Sequence, residues 1–250
     1  MPTLDEIFLL SIDLTNLTNV ALKLYSKRAT LLFPDEHTFV HYLERIEANS
    51  QAIHHLTEEL PNNHNLDTSI GLILRSNLSD FLSVAYMSIG KLNSRNDWYD
   101  RICRLNYDQF KKITGYMKKS TDIGWLTEEM ASDGISILQK QMDGLKNIVS
   151  INLDKDKLPT PEHIAKEMLS EPLLKDYAYP AYDLFKFYSQ YEHFGLLTAP
   201  MQKQGIELNM SRIKKGLYFT YKSVQLCCLN LEIQDKVEGL KDFEDRFDEN

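Results

Sequence analysis

The residues best suited to chemistry close the most aromatic stretch of the chain. Between Tyr177 and Phe194 lie eight rings, those of Tyr177, Tyr179, Tyr182, Phe185, Phe187, Tyr188, Tyr191 and Phe194, and the stretch ends on Glu192-His193. An acid beside an imidazole is a pair suited to proton transfer, and a carboxylate among rings must find a partner or shift its pKa. On a helical wheel at about 100° per residue, Glu192 falls inside the apolar arc of Ala181, Leu184, Phe185, Tyr188 and Tyr191. His193 falls opposite, beside Lys186 and Tyr182. Arg75 supplies a matching charge from another helix, in column with Ser79, Leu82 and Tyr86. Asp80 stands about 140° away on that wheel, so Arg75 has no good partner within its own helix. A half-buried guanidinium needs an acceptor, and Glu192 and Asp183 are the candidates. The candidate site is therefore Arg75, Tyr182, Tyr188, Glu192 and His193. It is either a ligand site or an architectural Arg75–Glu192 pair. An open cleft favours the first, a closed dry pair the second.

Other chemistries find less. His37 and His41 share a helix face, with Glu44 one turn on, and two imidazoles at that spacing can bind zinc or nickel. The chain has no His-Glu-x-x-His and no Glu-x-x-His pair of the di-iron type, and adjacent His54 and His55 should diverge, so no metal centre is expected. There is no Gly-x-Ser-x-Gly elbow, and the ten glycines are scattered rather than gathered in a phosphate loop. No catalytic set is complete and no cofactor is implied. Lys203, Arg212, Lys214, Lys215 and Lys222 cluster around the start of the last helix and read as a solvated basic face. A formal charge of −8 argues against broad binding to nucleic acid.

The cysteines, Cys103, Cys227 and Cys228, are odd in number and lack framework spacing, which fits reduced thiols in a cytoplasmic protein. Asp5, Glu6 and Asp13 interrupt the apolar N-terminal residues, so neither a signal peptide nor a membrane span is expected.

Helical periodicity positions all these residues. Thr3-Leu4-Asp5-Glu6 fits a capping box, followed by a seam of Ile7, Leu10, Leu14, Leu17, Ala21 and Leu24. A second helix runs from about Asp35 to Leu60. A third, from about Asp67 to Leu92, is apolar nearly all round and should be central. A fourth spans about Asp97 to Lys119, and a fifth, capped by Thr127, carries the seam Ala131 to Val149. A short helix follows Thr160-Pro161, the aromatic helix begins near Pro180, and the last runs from about Ser211 to Gln234. The expected fold is an all-α bundle of seven to eight mostly antiparallel helices. One domain covers 1–237 with an excursion at 153–171, and an acidic tail at 238–250 frays. One of the two narrow seams could serve a symmetric dimer; the reading set against it is that both pack within the bundle.

Two pieces resemble a known group. Ile73-Leu74-Arg75-Ser76-Asn77-Leu78-Ser79-Asp80 looks like the Arg-Ser start of a central helix in an uncharacterised family of bacterial helical proteins. Tyr188-Ser189-Gln190-Tyr191-Glu192-His193 looks like that family's Tyr-Ser-x-x-x-His stretch. The group is distantly similar to HEPN domains, some of which are metal-independent ribonucleases with an Arg four to six positions before a His. Here Phe187, Tyr188 and Ser189 precede His193, so the charge would come from Arg75. The resemblance implies a cytoplasmic bacterial helical protein. The leading expectation is a non-enzymatic role through binding a protein partner, a ligand or a second copy. The alternative is a HEPN-like ribonuclease or a small-molecule enzyme centred on Arg75, Glu192 and His193. No membrane or nucleic-acid partner is expected.

Overall fold

The computed structural model describes residues 2–26, 34–63, 66–190 and 206–248. Among them the secondary structure is entirely helical, with no strand, as the periodicity predicts. The helices are α1 (Leu4–Ser26), α2 (Pro34–Glu59), α3 (Leu66–Asn93), α4 (Arg95–Asp122), α5 (Glu128–Ile148), α6 (Pro161–Met168), α7 (Lys175–Ser189), α8 (Ile206–Asn230) and a single turn, α9 (Asp245–Asp248). The chain forms two compact units, one of residues 1–86 and 161–250, the other of residues 87–160.

Local chemistry explains the ends of several helices. Glu6 N–H donates to Thr3 Oγ1 at 3.2 Å and Thr3 N–H to Glu6 Oε2 at 3.4 Å, the reciprocal box expected for α1. Ser94 caps α4 by accepting from Asp97 N–H at 3.1 Å, and Thr127 caps α5 by accepting from Met130 N–H at 3.2 Å. α7 departs from expectation. It begins at Lys175, and Pro180 lies inside it rather than at its start. The proline removes one backbone donor there, a cost that the burial of Ala178, Ala181, Leu184 and Tyr188 must outweigh.

In the larger unit α1 buries Ile7, Leu10, Leu14, Leu17 and Ala21, and it packs on α2 and α8. Leu4–Tyr25 is long and apolar enough to cross a membrane by length and composition alone, which the sequence reading did not anticipate. Its buried stripe is that of a core helix. α1 and α2 run antiparallel, with Phe8 beside His54 and Asn19 near Glu47. α2 and α3 are antiparallel too, with Asn49 against Asn77 and Arg45 against Asp80. α3 and α8 are parallel, because Asp67, Leu74 and Asn77 meet Asn209, Gly216 and Thr220 in the same order. A Cβ on Gly216 would stand 2.9 Å from the methyls of fully buried Leu74, so glycine permits this close approach.

In the smaller unit α4 and α5 form an antiparallel hairpin joined by the turn 123–127. Tyr107, Met142 and Leu153 centre its core, with Phe110, Leu145, Val149 and Ile151 packed around them. The α5 seam thus faces α4, and the α1 seam faces α2 and α8. Asp100 accepts from Ser150 N–H at 3.1 Å and from its hydroxyl at 2.7 Å, tying the following segment back to α4.

The acidic C-terminal segment, expected to fray, is packed through residue 247. Val237, Leu240 and Phe243 are buried, and Phe243 and Phe247 stack against Tyr221 at 5.2 and 5.9 Å. Tyr221 Oη donates to Leu240 O at 2.7 Å. Lys222, expected on a solvated face, is only 6% exposed. Its ammonium lies 5.1, 5.2 and 5.3 Å from the ring centres of Tyr177, Tyr218 and Tyr221, and 2.5 Å from Glu244 Oε1. Three ring faces and one carboxylate replace the water such a charge would lose. Burial and Glu244 together push the Tyr221 phenol up. Removing the Phe243 ring should destabilise the fold. Phe243→Ala is expected to cost about 3 kcal/mol, measured by urea unfolding.

Candidate functional site

α3 carries the polar residues that matter most, and they face α2 and α8 rather than solvent. Asp80 is 2% exposed. Arg45 of α2 donates to both its oxygens, through Nε at 3.1 Å to Oδ2 and through a terminal nitrogen to Oδ1. One step along the same interface, Asn49 Nδ2 donates to Asn77 Oδ1 at 2.6 Å. Asn77 Nδ2 then donates to Thr220 Oγ1 at 3.1 Å, and Thr220 donates to Gly216 O at 2.9 Å. At the other end Tyr42 is hydrogen-bonded to Ser83. Positions 42, 45 and 49 of α2 thus meet 83, 80 and 77 of α3, forming a polar ladder with the spacing of adjacent helical turns.

Burial dominates the electrostatics of this ladder. Loss of water pushes the Asp80 carboxyl up to about 6, because the half-exposed Arg45 offsets only part of the desolvation and His41 adds little. Burial and the neighbouring Asp80 push the Tyr42 phenol up. Burial, Cys228 and Asp80 hold the Cys227 thiol well above its usual range, and burial alone pushes Cys228 to about 12. Neither thiol is activated as a nucleophile.

The residues singled out in the sequence lie elsewhere. Arg75 is half-buried, and its Nε–H donates to Ser189 Oγ at 3.1 Å. Ser189 donates in turn to Phe185 O at 2.8 Å, and the guanidinium sits 5.4 Å from the Phe185 ring centre. Arg75 thus meets Ser189 and Phe185 of α7, while the expected contact with Glu192 lies outside the described residues. Glu192 and His193 fall outside the described residues, and Asp183 is exposed. Tyr188 is buried, with Phe187 edge-on at 5.3 Å. Tyr182 is partly exposed, with Lys186 5.6 Å from its ring centre.

Beside Tyr188 is a cavity of about 10 Å³, lined by Asp67, Phe187, Tyr188, Asn209, Arg212 and Ile213. That is room for about one water, far below the roughly 300 Å³ of a small-molecule pocket. Arg212 lies over the Phe187 ring at 3.9 Å, and Asn209 Nδ2 donates to Asp67 Oδ2 at 3.1 Å, so the polar groups lining the space are engaged with one another and with the ring. Of the expected basic face, two lysines are paired within the fold and Lys215 is exposed. Lys214 pairs with Glu6 at 2.6 Å and Lys222 with Glu244, while Lys203 lies outside the described residues.

The histidine expectations divide. His41 Nδ1 lies 3.3 Å from Glu44 Oε2 on an exposed face, without His37 completing a donor group. His54 and His55, expected to diverge, have ring centres 5.0 Å apart and share their neighbourhood with Glu58.

No protein-family model, no curated protein and no solved structure matches this chain. The likeness to HEPN domains therefore rests on the two sequence pieces alone.

Sequence reasoning missed the Arg45–Asp80 pair, although its signal was present: a carboxylate in the helix read as apolar nearly all round. The pH dependence tests it. Asp80's folded-state value lies above its ordinary 3.8. Its contribution to stability is therefore fully present below about pH 4 and is lost as pH rises through about 6. Relative to Asp80→Asn, the native chain should lose about 2 kcal/mol between pH 4 and pH 7, read from urea unfolding at each pH. Arg45→Met should cost more at pH 7 than at pH 4, because it strands an ionised Asp80.

Proposed function

We propose that this chain is a non-enzymatic cytoplasmic binding protein, and that it engages a protein partner through the α4–α5 hairpin. One observation carries the reading. Ile113, Tyr116, Ile123, Trp125, Met130 and Ile137 are all 45–73% exposed, and all lie on the two helices or the turn between them. Met130, Ile137 and Ile148 recur at spacings of 7 and 11 on α5, a second stripe turned away from the seam that packs on α4. Isolated exposed hydrophobics are ordinary, but a stripe on α5 together with a tryptophan 73% exposed in the adjoining turn is the composition of a docking surface.

The partner's chemistry follows from the charges. Between Asp108 and Lys146 six lysines and six acidic residues balance. A neutral hairpin lacks the attraction that anionic lipid or nucleic acid would exploit. It fits a protein with an apolar recess able to take the Trp125 ring. The small size of the cavity beside Tyr188 and the raised thiol pKa values support binding over catalysis. The buried free thiols Cys103, Cys227 and Cys228 support a reducing compartment.

A photo-reactive benzoylphenylalanine replacing Trp125, with the same group at exposed Lys140 as control, tests the reading. Position 125 should capture a defined partner in cells. With both proteins purified, Trp125→Ser together with Met130→Ser should weaken binding at least tenfold. Equal crosslinking at both positions, or unchanged affinity of the double variant, would overturn the proposal. Capture of a second copy would turn it into self-association, to be checked by sedimentation.

A further inference from the structure

We propose that His54, His55 and Glu58 form a binding site for a borderline divalent cation, zinc foremost, on the surface of α2. One donor atom from each residue lies within 4.8 Å of the other two. Two imidazoles and one carboxylate form a donor set that zinc accepts, leaving a fourth position for water. The spacing has a helical logic: Glu58 follows His55 by three residues and His54 by four, so its carboxylate reaches back over both rings.

Three further observations shape the site. His54 Nδ1 is shut off from solvent and has no hydrogen-bond partner. A cation taking Nδ1 satisfies it, and a cation taking Nε2 fixes the tautomer. The Phe8 ring of α1, 4.5 Å from the His54 ring, holds that imidazole in place before any ion arrives. His55 and Glu58 are exposed, so the ion has open access and two of its ligands are mobile. With metal–ligand bonds of about 2.0–2.2 Å, tetrahedral donors stand roughly 3.3 Å apart. Closing from 4.8 Å therefore requires the exposed side chains to swing inward around a fixed His54. The site is independent of the α4–α5 hairpin. Its chemical consequence is a clamp: a bound ion braces His54 against Phe8, and with it the contact between α1 and α2.

Titration of the whole chain with zinc chloride at about pH 7.5 tests this by calorimetry and by the histidine resonances in NMR. One equivalent should bind, with the signals of His54 and His55 shifting together and the unfolding temperature rising. His55→Ala and Glu58→Gln, at exposed positions that should leave the fold intact by circular dichroism, should each weaken binding at least about tenfold and abolish the thermal shift. His37→Gln with His41→Gln should change neither. Native affinity in both His55→Ala and Glu58→Gln would overturn the site. So would loss of binding in the His37/His41 variant, which would locate the ion there.

Discussion

The ladder between α2 and α3 is the constraint on which the larger unit depends. Apolar side chains alone tolerate sliding, since one leucine replaces another at modest cost. Buried amides and charges do not, because a shift of one turn leaves several polar groups unsatisfied at once. Tyr42, Arg45 and Asn49 must therefore meet Ser83, Asp80 and Asn77, and no other register serves. Asn77 extends the constraint to Thr220. Gly216 admits Leu74 beside it, and the parallel approach of α3 and α8 follows.

Most of the helices were legible in the sequence because each leaves a periodic signature of its own. The α1 seam, the Thr3–Glu6 box and the Thr127 cap depend only on residues within four positions of one another, and the structure forms all three. The errors lie where the partner comes from elsewhere in the chain. A wheel for α3 shows Asp80 without a mate because its mate is Arg45, 35 residues earlier. Lys222 reads as a surface charge until Tyr177 and Glu244 close over it. His54 and His55 point apart on an ideal wheel, yet their ring centres lie 5.0 Å from each other.

Of the candidate site, Arg75 meets Ser189 and Phe185 of α7, partners that a helical wheel does not name, and Glu192 and His193 lie outside the described residues. The functional surface proposed instead was hidden by the pattern that identified α5 as a helix. Ala131, Met142 and their neighbours account for its packing on α4, and Met130, Ile137 and Ile148 form a second stripe on the same helix. A helix with two apolar stripes has one more than its own hairpin needs.

The paired thiols of α8 carry a consequence of their own. Cys227 and Cys228 are wholly enclosed and held in the protonated form, so alkylating reagents and disulfides meet no thiolate while α8 is seated. Reaction has to wait for α8 to lift away from Asp80 and the core. The rate at which a small maleimide consumes these two sulfurs is then a stopwatch on the breathing of the helical core, built into the chain without any added label.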